Sequence, residues 1–229
     1  MENKHPKSSN IVDIFTKKPV DDTNIDKFIR LSPEIDGLEM LYSNDSCPGK
    51  LYSIKILCWA LMKNGEVHAL VPWLNKIVSA KELNDPLKGR WEGYYDNCHN
   101  HLFFEAPSHK KKELKAAAHF FHNPSNDKNL VIQEIIDSIG THVVLTEDNL
   151  QTIILAHVTS WRLFNDGRLY AMIADETKIN STPVLTGDEC LFPAQEHKDF
   201  RYFFHYTIAN KIKHGDPDTI ASLNKLADI

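Results

Sequence analysis

Two stretches of this chain repeat one pattern without a gap, and that repeat constrains the fold more than any other feature. Trp59 to Val71 reads WALMKNGEVHALV, and Trp161 to Ile173 reads WRLFNDGRLYAMI. Trp, Leu, Gly and Ala coincide, and Met62/Phe164, Val67/Leu169, Leu70/Met172 and Val71/Ile173 are apolar in both. Each carries a turn dipeptide at the same place, Asn64-Gly65 and Asp166-Gly167. Asn-Gly and Asp-Gly suit a tight type I′ turn, which needs positive φ at both central residues. Each copy therefore reads as a β-hairpin, with Trp59 and Trp161 as core pillars.

The similarity extends outward. Leu51–Cys58 and Ile153–Ser160 suit the first arm of the hairpin. Downstream, Phe104-Glu105-Ala106-Pro107-Ser108-His109-Lys110 matches Phe192-Pro193-Ala194-Gln195-Glu196-His197-Lys198 at Phe, Ala, His and Lys. A helix is expected after each block, with Leu114, Ala117, Ala118 and Phe121 on one face in the first and Phe200, Phe203, Phe204, Thr207 and Ile208 in the second. A second helix is expected in each copy: one carrying Ile132, Ile135, Ile136 and Ile139 and capped by Gly140, the other entered at Asp216-Pro217 and carrying Ile220, Leu223 and Leu226.

The fold class that follows is α+β. It is an internal duplication of a strand–hairpin–helix–helix unit, with antiparallel sheet covered by about four helices and the copies related by a pseudo-two-fold axis. The organisation expected is a polar tail over 1–36, copy one over 37–140 and copy two over 141–229, the copies forming one compact body. The tail holds one apolar island, Ile11–Phe15, which reads either as part of a mobile segment or as a short docking element.

Composition narrows the function classes. With 26 Lys+Arg against 31 Asp+Glu, the net charge is -5, which disfavours a protein built to grip phosphate backbone. There is no apolar run of about 20 residues to span a bilayer. Met1–Val20 lacks the apolar stretch of a signal peptide. The four cysteines (Cys47, Cys58, Cys98, Cys190) form no CxxC pair. Reduced thiols in a cytoplasmic protein are the expectation. Neither a Walker-type nor a GxGxxG phosphate loop occurs, nor a GxSxG elbow, an HExxH zinc helix or an EF-hand loop. No cofactor is implied, and whether the chain is an enzyme stays open.

Three groups of residues stand out. The insertion that lengthens copy one contains Trp91, Tyr94 and Tyr95, side chain types that dominate binding hot spots, and it is the candidate partner contact. His109-Lys110 and His197-Lys198 occupy matching places at expected helix starts, where an anion is favoured; converging, they would hold a small anionic ligand. Cys98 or His101 with His119 and His122 has metal-ligand chemistry but no second tight pair from a fixed loop, so no metal is assigned. Lys110–Lys115 is the one basic cluster and carries the weaker alternative of nucleic-acid binding. The leading expectation is a binding or interaction protein whose partner is a protein or a second copy of itself. The alternative is an enzyme or anion-binding protein with its site between the copies.

Overall fold

The structure is a computed structural model, and it describes residues 28–44, 51–82, 89–120, 126–146, 153–174 and 190–204. The strands of the first half are β1 (Phe28–Pro33), β2 (Leu38–Asn44), β3 (Leu51–Lys55), β4 (Cys58–Met62), β5 (Val67–Trp73), β6 (Lys76–Ser79), β7 (Gly89–Asp96) and β8 (His101–Phe103), followed by helix α1 (Ser108–Phe120). The second half contributes β9 (Val131–Ile136), β10 (His142–Thr146), β11 (Ile153–Phe164), β12 (Leu169–Ala174), β13 (Leu191–Pro193) and β14 (Phe200–Phe204).

The protein is therefore mostly β, with one α-helix among the described residues, and the expected α+β unit with about four helices is overturned. Ile132, Ile135, Ile136 and Ile139 do not share a helix face. The first three lie on β9, where Ile135 is buried and Ile136 is 79% exposed; Ile139 is buried beyond the strand, next to Gly140 at φ 72°. A β-branched run is better placed on a pleated surface than in a helix, where its χ1 freedom is lost. The helix expected at Phe200 is β14, in which Phe203 turns inward and Tyr202 and Phe204 turn to the other face. The helix expected at Asp216 and residues 1–27 of the expected 1–36 tail lie outside the described residues, and Phe28–Pro33 of that tail is strand β1 instead. Leu114 of α1 is buried as its stripe required.

Both hairpins form at the expected dipeptides, but with a different turn. Gly65 and Gly167 have φ of 84° and 89°, whereas Asn64 and Asp166 do not have positive φ. The Met62 carbonyl accepts from Gly65 N–H, and Phe164 C=O from Gly167 N–H. This is a type I turn closed by a glycine in the left-handed region, the three-residue solution, rather than type I′. The Asn64 and Asp166 side chains instead accept from the backbone N–H of Glu66 and Arg168.

The two halves share a pairing scheme. β1 pairs β4 and β9 pairs β11; β4 pairs β5 and β11 pairs β12; β2 pairs β7 and β10 pairs β14. Ser32 faces Trp59 in the first half, and Ile135 faces Trp161 in the second. Met40 lies opposite Tyr94, and Val143 lies opposite Phe203. The β6–β5 pairing puts Val78 opposite Val71, and the β13–β12 pairing puts Phe192 opposite Ile173. The equivalent of Phe192-Pro193-Ala194 is thus Val78-Ser79-Ala80, not the block at Phe104. Ala80 and Ala194 both open a short 3-10 turn and are both fully buried.

Each tryptophan sits at the centre of a core. Trp59 packs edge-on against Tyr94 with ring centroids 5.0 Å apart, among Met40, Leu61, Val71 and Leu114 of α1. Trp161 packs against Phe203 at 5.5 Å, among Val143, Leu163 and Ile173. Helix α1 closes the first core. The second is closed by the back of the first half: Leu31, Cys58, Ala60, Met62 and Leu70 join the Trp161 cluster. The amide side chain of Gln133 completes this junction, accepting from Leu31 N–H at 2.9 Å and donating to Leu31 C=O at 2.7 Å, as a neighbouring strand would. The surfaces that meet are therefore not equivalent, and the expected pseudo-two-fold relation does not hold. The corresponding back of the second half is polar at three places: Glu134, Ser160 and Arg162 stand where the first half has Leu31, Cys58 and Ala60, while Phe164 and Met172 keep the apolar places of Met62 and Leu70. Ser160 Oγ and Arg162 Nε both donate to Glu134 Oε1.

A carboxylate beneath each tryptophan, buried at Glu34 and partly buried at Asp137, fixes the geometry. Glu34 accepts the Trp59 indole N–H and the backbone N–H groups of Asp36 and Leu38. Asp137 accepts the Trp161 indole N–H, the Thr141 hydroxyl and the Thr141 N–H, each at 2.8 Å. Both acids precede by three residues a glycine of positive φ, Gly37 (77°) or Gly140 (72°), so one side chain closes the turn and satisfies the indole together.

Candidate interaction surface

Helix α1 enters directly over β1, and its first turn is used to hold it there. Lys110 is 3% exposed; its Nζ donates to Pro33 C=O at 3.0 Å and to Ser32 Oγ at 3.2 Å, and lies 3.9 Å from Glu113. His109 Nε2 meets Asp36 Oδ2 at 2.9 Å. His197 and Lys198 occupy the turn between the Ala194–Glu196 3-10 segment and β14, where His197 Nδ1 accepts from Asp199 N–H and Lys198 Nζ lies 3.8 Å from Asp199. The two His-Lys pairs thus stand at non-equivalent places, one on α1 and one beside β14. All four side chains face a carboxylate or carbonyl group of their own surroundings. The same arrangement removes Lys110 from any basic surface, and Lys111 is tied to Glu105, leaving Lys112 and Lys115 exposed on that helix.

The aromatic insertion is a β-hairpin edge. β7 carries a bulge at Glu92: Leu41 pairs with Gly93 and Tyr42 with Trp91. The extra residue turns Trp91 to the same side as Tyr94. Of the three aromatic residues proposed from sequence, Tyr94 is fully buried against Trp59 and belongs to the core. It cannot touch a partner, and burial pushes its phenol well above the usual tyrosine range. Tyr95 is half-buried and its hydroxyl donates to Asn100 Oδ1 at 2.6 Å, stiffening the β7–β8 turn. Asp96 holds the same turn by accepting from the N–H groups of Cys98 and His99; the His99 ring 2.7 Å away keeps its carboxyl below the usual range. Trp91 is half-buried, with Lys81 5.5 Å from its ring centroid.

Sequence reasoning missed the residues that lie outermost. Along the extended run His101–Phe104, Phe103 turns into the core while Leu102 and Phe104 turn out, the period of two that a strand imposes. Leu102 is 39% exposed and rests over Gly93, where an added Cβ would come within 2.8 Å of Leu102 Cδ1. Phe104 is 60% exposed and packs edge-on against Trp91 at 6.4 Å. Phe104 and the rim of Trp91 form an apolar edge flanked by Lys81 and the Glu105–Lys111 ion pair, while Leu102 lies on the Gly93 side of the hairpin. The alternation through Phe103 is the signal that could have found it.

Among the described residues, no three His, Cys, Asp or Glu side chains are gathered as a metal site. The His119 side chain, His122 and Cys47 lie outside what is described. Among the described residues, no helix is long and apolar enough to cross a membrane. No family model, curated protein or solved structure matches this chain.

Proposed function

We propose that this chain is a binding protein that engages a protein partner through Phe104 and the exposed rim of Trp91. The observation that carries the reading is Phe104. It is a large aromatic side chain, mostly in solvent, held in one place by Trp91 and by a strand end. A rigid aromatic anchor loses little conformational entropy on binding, and such anchors dominate interface energetics. Lys81 beside it favours a partner with an acidic group at its rim.

The test uses Phe104→Ser, because this side chain is outside the core and its loss leaves the fold intact. Tagged wild type and the variant are compared for partner recovery after crosslinking in cells, alongside their melting temperatures. Loss of a partner at unchanged melting temperature is expected. Recovery of the same proteins at equal yield, or no specific partner with either chain, refutes the reading. If the recovered partner is a second copy of this chain, the native mass of wild type but not of the variant shows the dimer.

A further inference from the structure

The two hairpin tips share a backbone but not a chemistry. In each, the residue before the glycine accepts from the N–H two residues on: Asn64 Oδ1 from Glu66 at 3.0 Å, and Asp166 Oδ1 from Arg168 at 3.2 Å. In the second half Arg168 Nε also donates to Asp166 Oδ2 at 2.6 Å, so that carboxylate is paired. In the first half the residue in the place of Arg168 is Glu66. Asn64 Nδ2 donates to Glu66 Oε2 at 3.0 Å, and the His68 ring lies 3.1 Å from the same oxygen. The bonds from His68 and then Asn64 hold the Glu66 carboxyl below its ordinary range. Both ends of the Asn64 amide are therefore bound to one residue.

We propose that Asn64 is a site of spontaneous deamidation that Glu66 holds closed. Asparagine before glycine is open to this reaction because glycine puts no side chain in the way of its own nitrogen. Gly65 N attacks Asn64 Cγ. The new C–N bond closes a succinimide ring, the Cγ–Nδ2 bond breaks, and Nδ2 leaves as ammonia with the proton that Gly65 N gives up. Water then opens the ring at either carbonyl, leaving aspartate or isoaspartate. The tip gives the ring room: residues 63–66 are exposed, and a Cβ built on Gly65 meets nothing within 4 Å. Two contacts stop the attack. Gly65 N–H is already donated to Met62 C=O at 2.9 Å. Asn64 Cγ cannot swing onto Gly65 N while Oδ1 and Nδ2 are both bonded to Glu66. The product is not neutral for the turn. Aspartate at this place would set a carboxylate against that of Glu66 where an N–H···O bond now stands, a repulsion the second half avoids by carrying Arg168.

The experiment incubates the full-length wild type, Glu66→Ala and Glu66→Gln in warm, mildly alkaline buffer. Peptide mass mapping follows conversion of Asn64 to aspartate and isoaspartate, and wild type held in urea gives the rate without the turn. Native wild type is expected to convert about tenfold more slowly than the urea-treated chain, since attack then waits on local opening. Glu66→Ala is expected to convert about threefold faster than native wild type, the shift in population set by losing one exposed side-chain hydrogen bond. Glu66→Gln keeps an acceptor oxygen for Nδ2 and should stay near the wild-type rate. Equal rates for native wild type and Glu66→Ala overturn the proposal. So does a native wild type that converts as fast as the urea-treated chain, a Glu66→Gln rate matching that of Glu66→Ala, or no conversion of Asn64 in urea. Should Glu66→Ala lose the near-UV circular dichroism of the tryptophan cores, Glu66→Lys is read instead by the same criterion.

Discussion

Removing the Asp137 carboxylate should be among the most damaging single changes outside the apolar core. Asp137→Ala leaves three donors without their acceptor: the indole N–H of Trp161, and the hydroxyl and N–H of Thr141. Trp161 and Thr141 are both 0% exposed and Asp137 is only partly exposed, so water reaches the vacated site poorly. A buried donor left unpaired costs about 1–3 kcal/mol, and hydrogen bonds to a charged group lie at the upper part of that scale. Three such bonds sharing one carboxylate are not additive, which gives a total of about 3–5 kcal/mol. Against a typical stability of about 5–15 kcal/mol, that is a large fraction. For a chain of this size it corresponds to a drop in Tm of roughly 10 °C. Asp137→Asn keeps the shape and one acceptor oxygen. It serves the two groups that bond Oδ1 and turns an amide toward Thr141 N–H, so it should cost about 1–3 kcal/mol. Urea unfolding followed by tryptophan fluorescence gives both values from the shift in midpoint. A loss below about 1 kcal/mol for Asp137→Ala would mean that the carboxylate does not hold turn and tryptophan together. Glu34→Ala, which strands Trp59 Nε1 and two backbone N–H groups, should fall in the same range.

Other expectations follow from the geometry. Gly167→Ala places a side chain at φ 89° and should cost about 1–2 kcal/mol, read by thermal melting; a neutral result would exclude the glycine-closed turn. Leu114→Ala empties a fully buried position between α1 and the Trp59 core and should cost about 2–5 kcal/mol, with near-UV circular dichroism reporting whether the helix stays docked. Burial raises the thiol of Cys58 and the phenol of Tyr94, so both stay protonated in the folded chain at pH values where the unfolded chain loses the proton. Their stabilising effect is complete below the unfolded pKa, about 8.5 for Cys and 10 for Tyr, and is lost above it at about 1.4 kcal/mol per pH unit for each group. Cys58→Ala should abolish the first part of that slope, between about pH 8.5 and 10, and a stability flat to pH 10 in wild type would count against it. In native protein a thiol reagent should label Cys98, which is exposed, and spare Cys58 and Cys190 until urea unfolds the chain.

What the sequence disclosed was whatever local chemistry decides. Asn64-Gly65 and Asp166-Gly167 mark turns because glycine alone adopts the left-handed backbone there without strain, and the repeated Trp marks a core because nothing else fills that volume. The isoleucines of 132–139 misled because a strand followed by a turn can reproduce helical spacing over eight residues. Their β-branching was the better guide. The blocks at Phe104 and Phe192 matched by composition alone, and only strand pairing shows that Ala194 corresponds to Ala80. Glu34 and Asp137 went unnoticed although each stands three residues before a glycine in its half. A carboxylate expected on the surface becomes a core residue only when the indole it serves is known to lie above it. Phe104 was passed over for the same reason: whether an aromatic is anchor or core depends on which strand face it takes, and a bulge at Glu92 decides that for its neighbour Trp91.

The junction between the halves also bears on whether a further unit could stack in the same way. The back of the first half is apolar and closes the core of the second, a head-to-tail contact that leaves one more back surface at the end of the row. Repeated without limit, such contacts build a filament. On the equivalent side of the second half, Glu134 bonded to Ser160 and Arg162 takes the places of Leu31, Cys58 and Ala60. Covering an ion pair with another molecule's apolar core would strip its water with no compensating partner. These three side chains thus disfavour a further apolar contact of the same kind, as the polar outer faces of capping repeats do in solenoids.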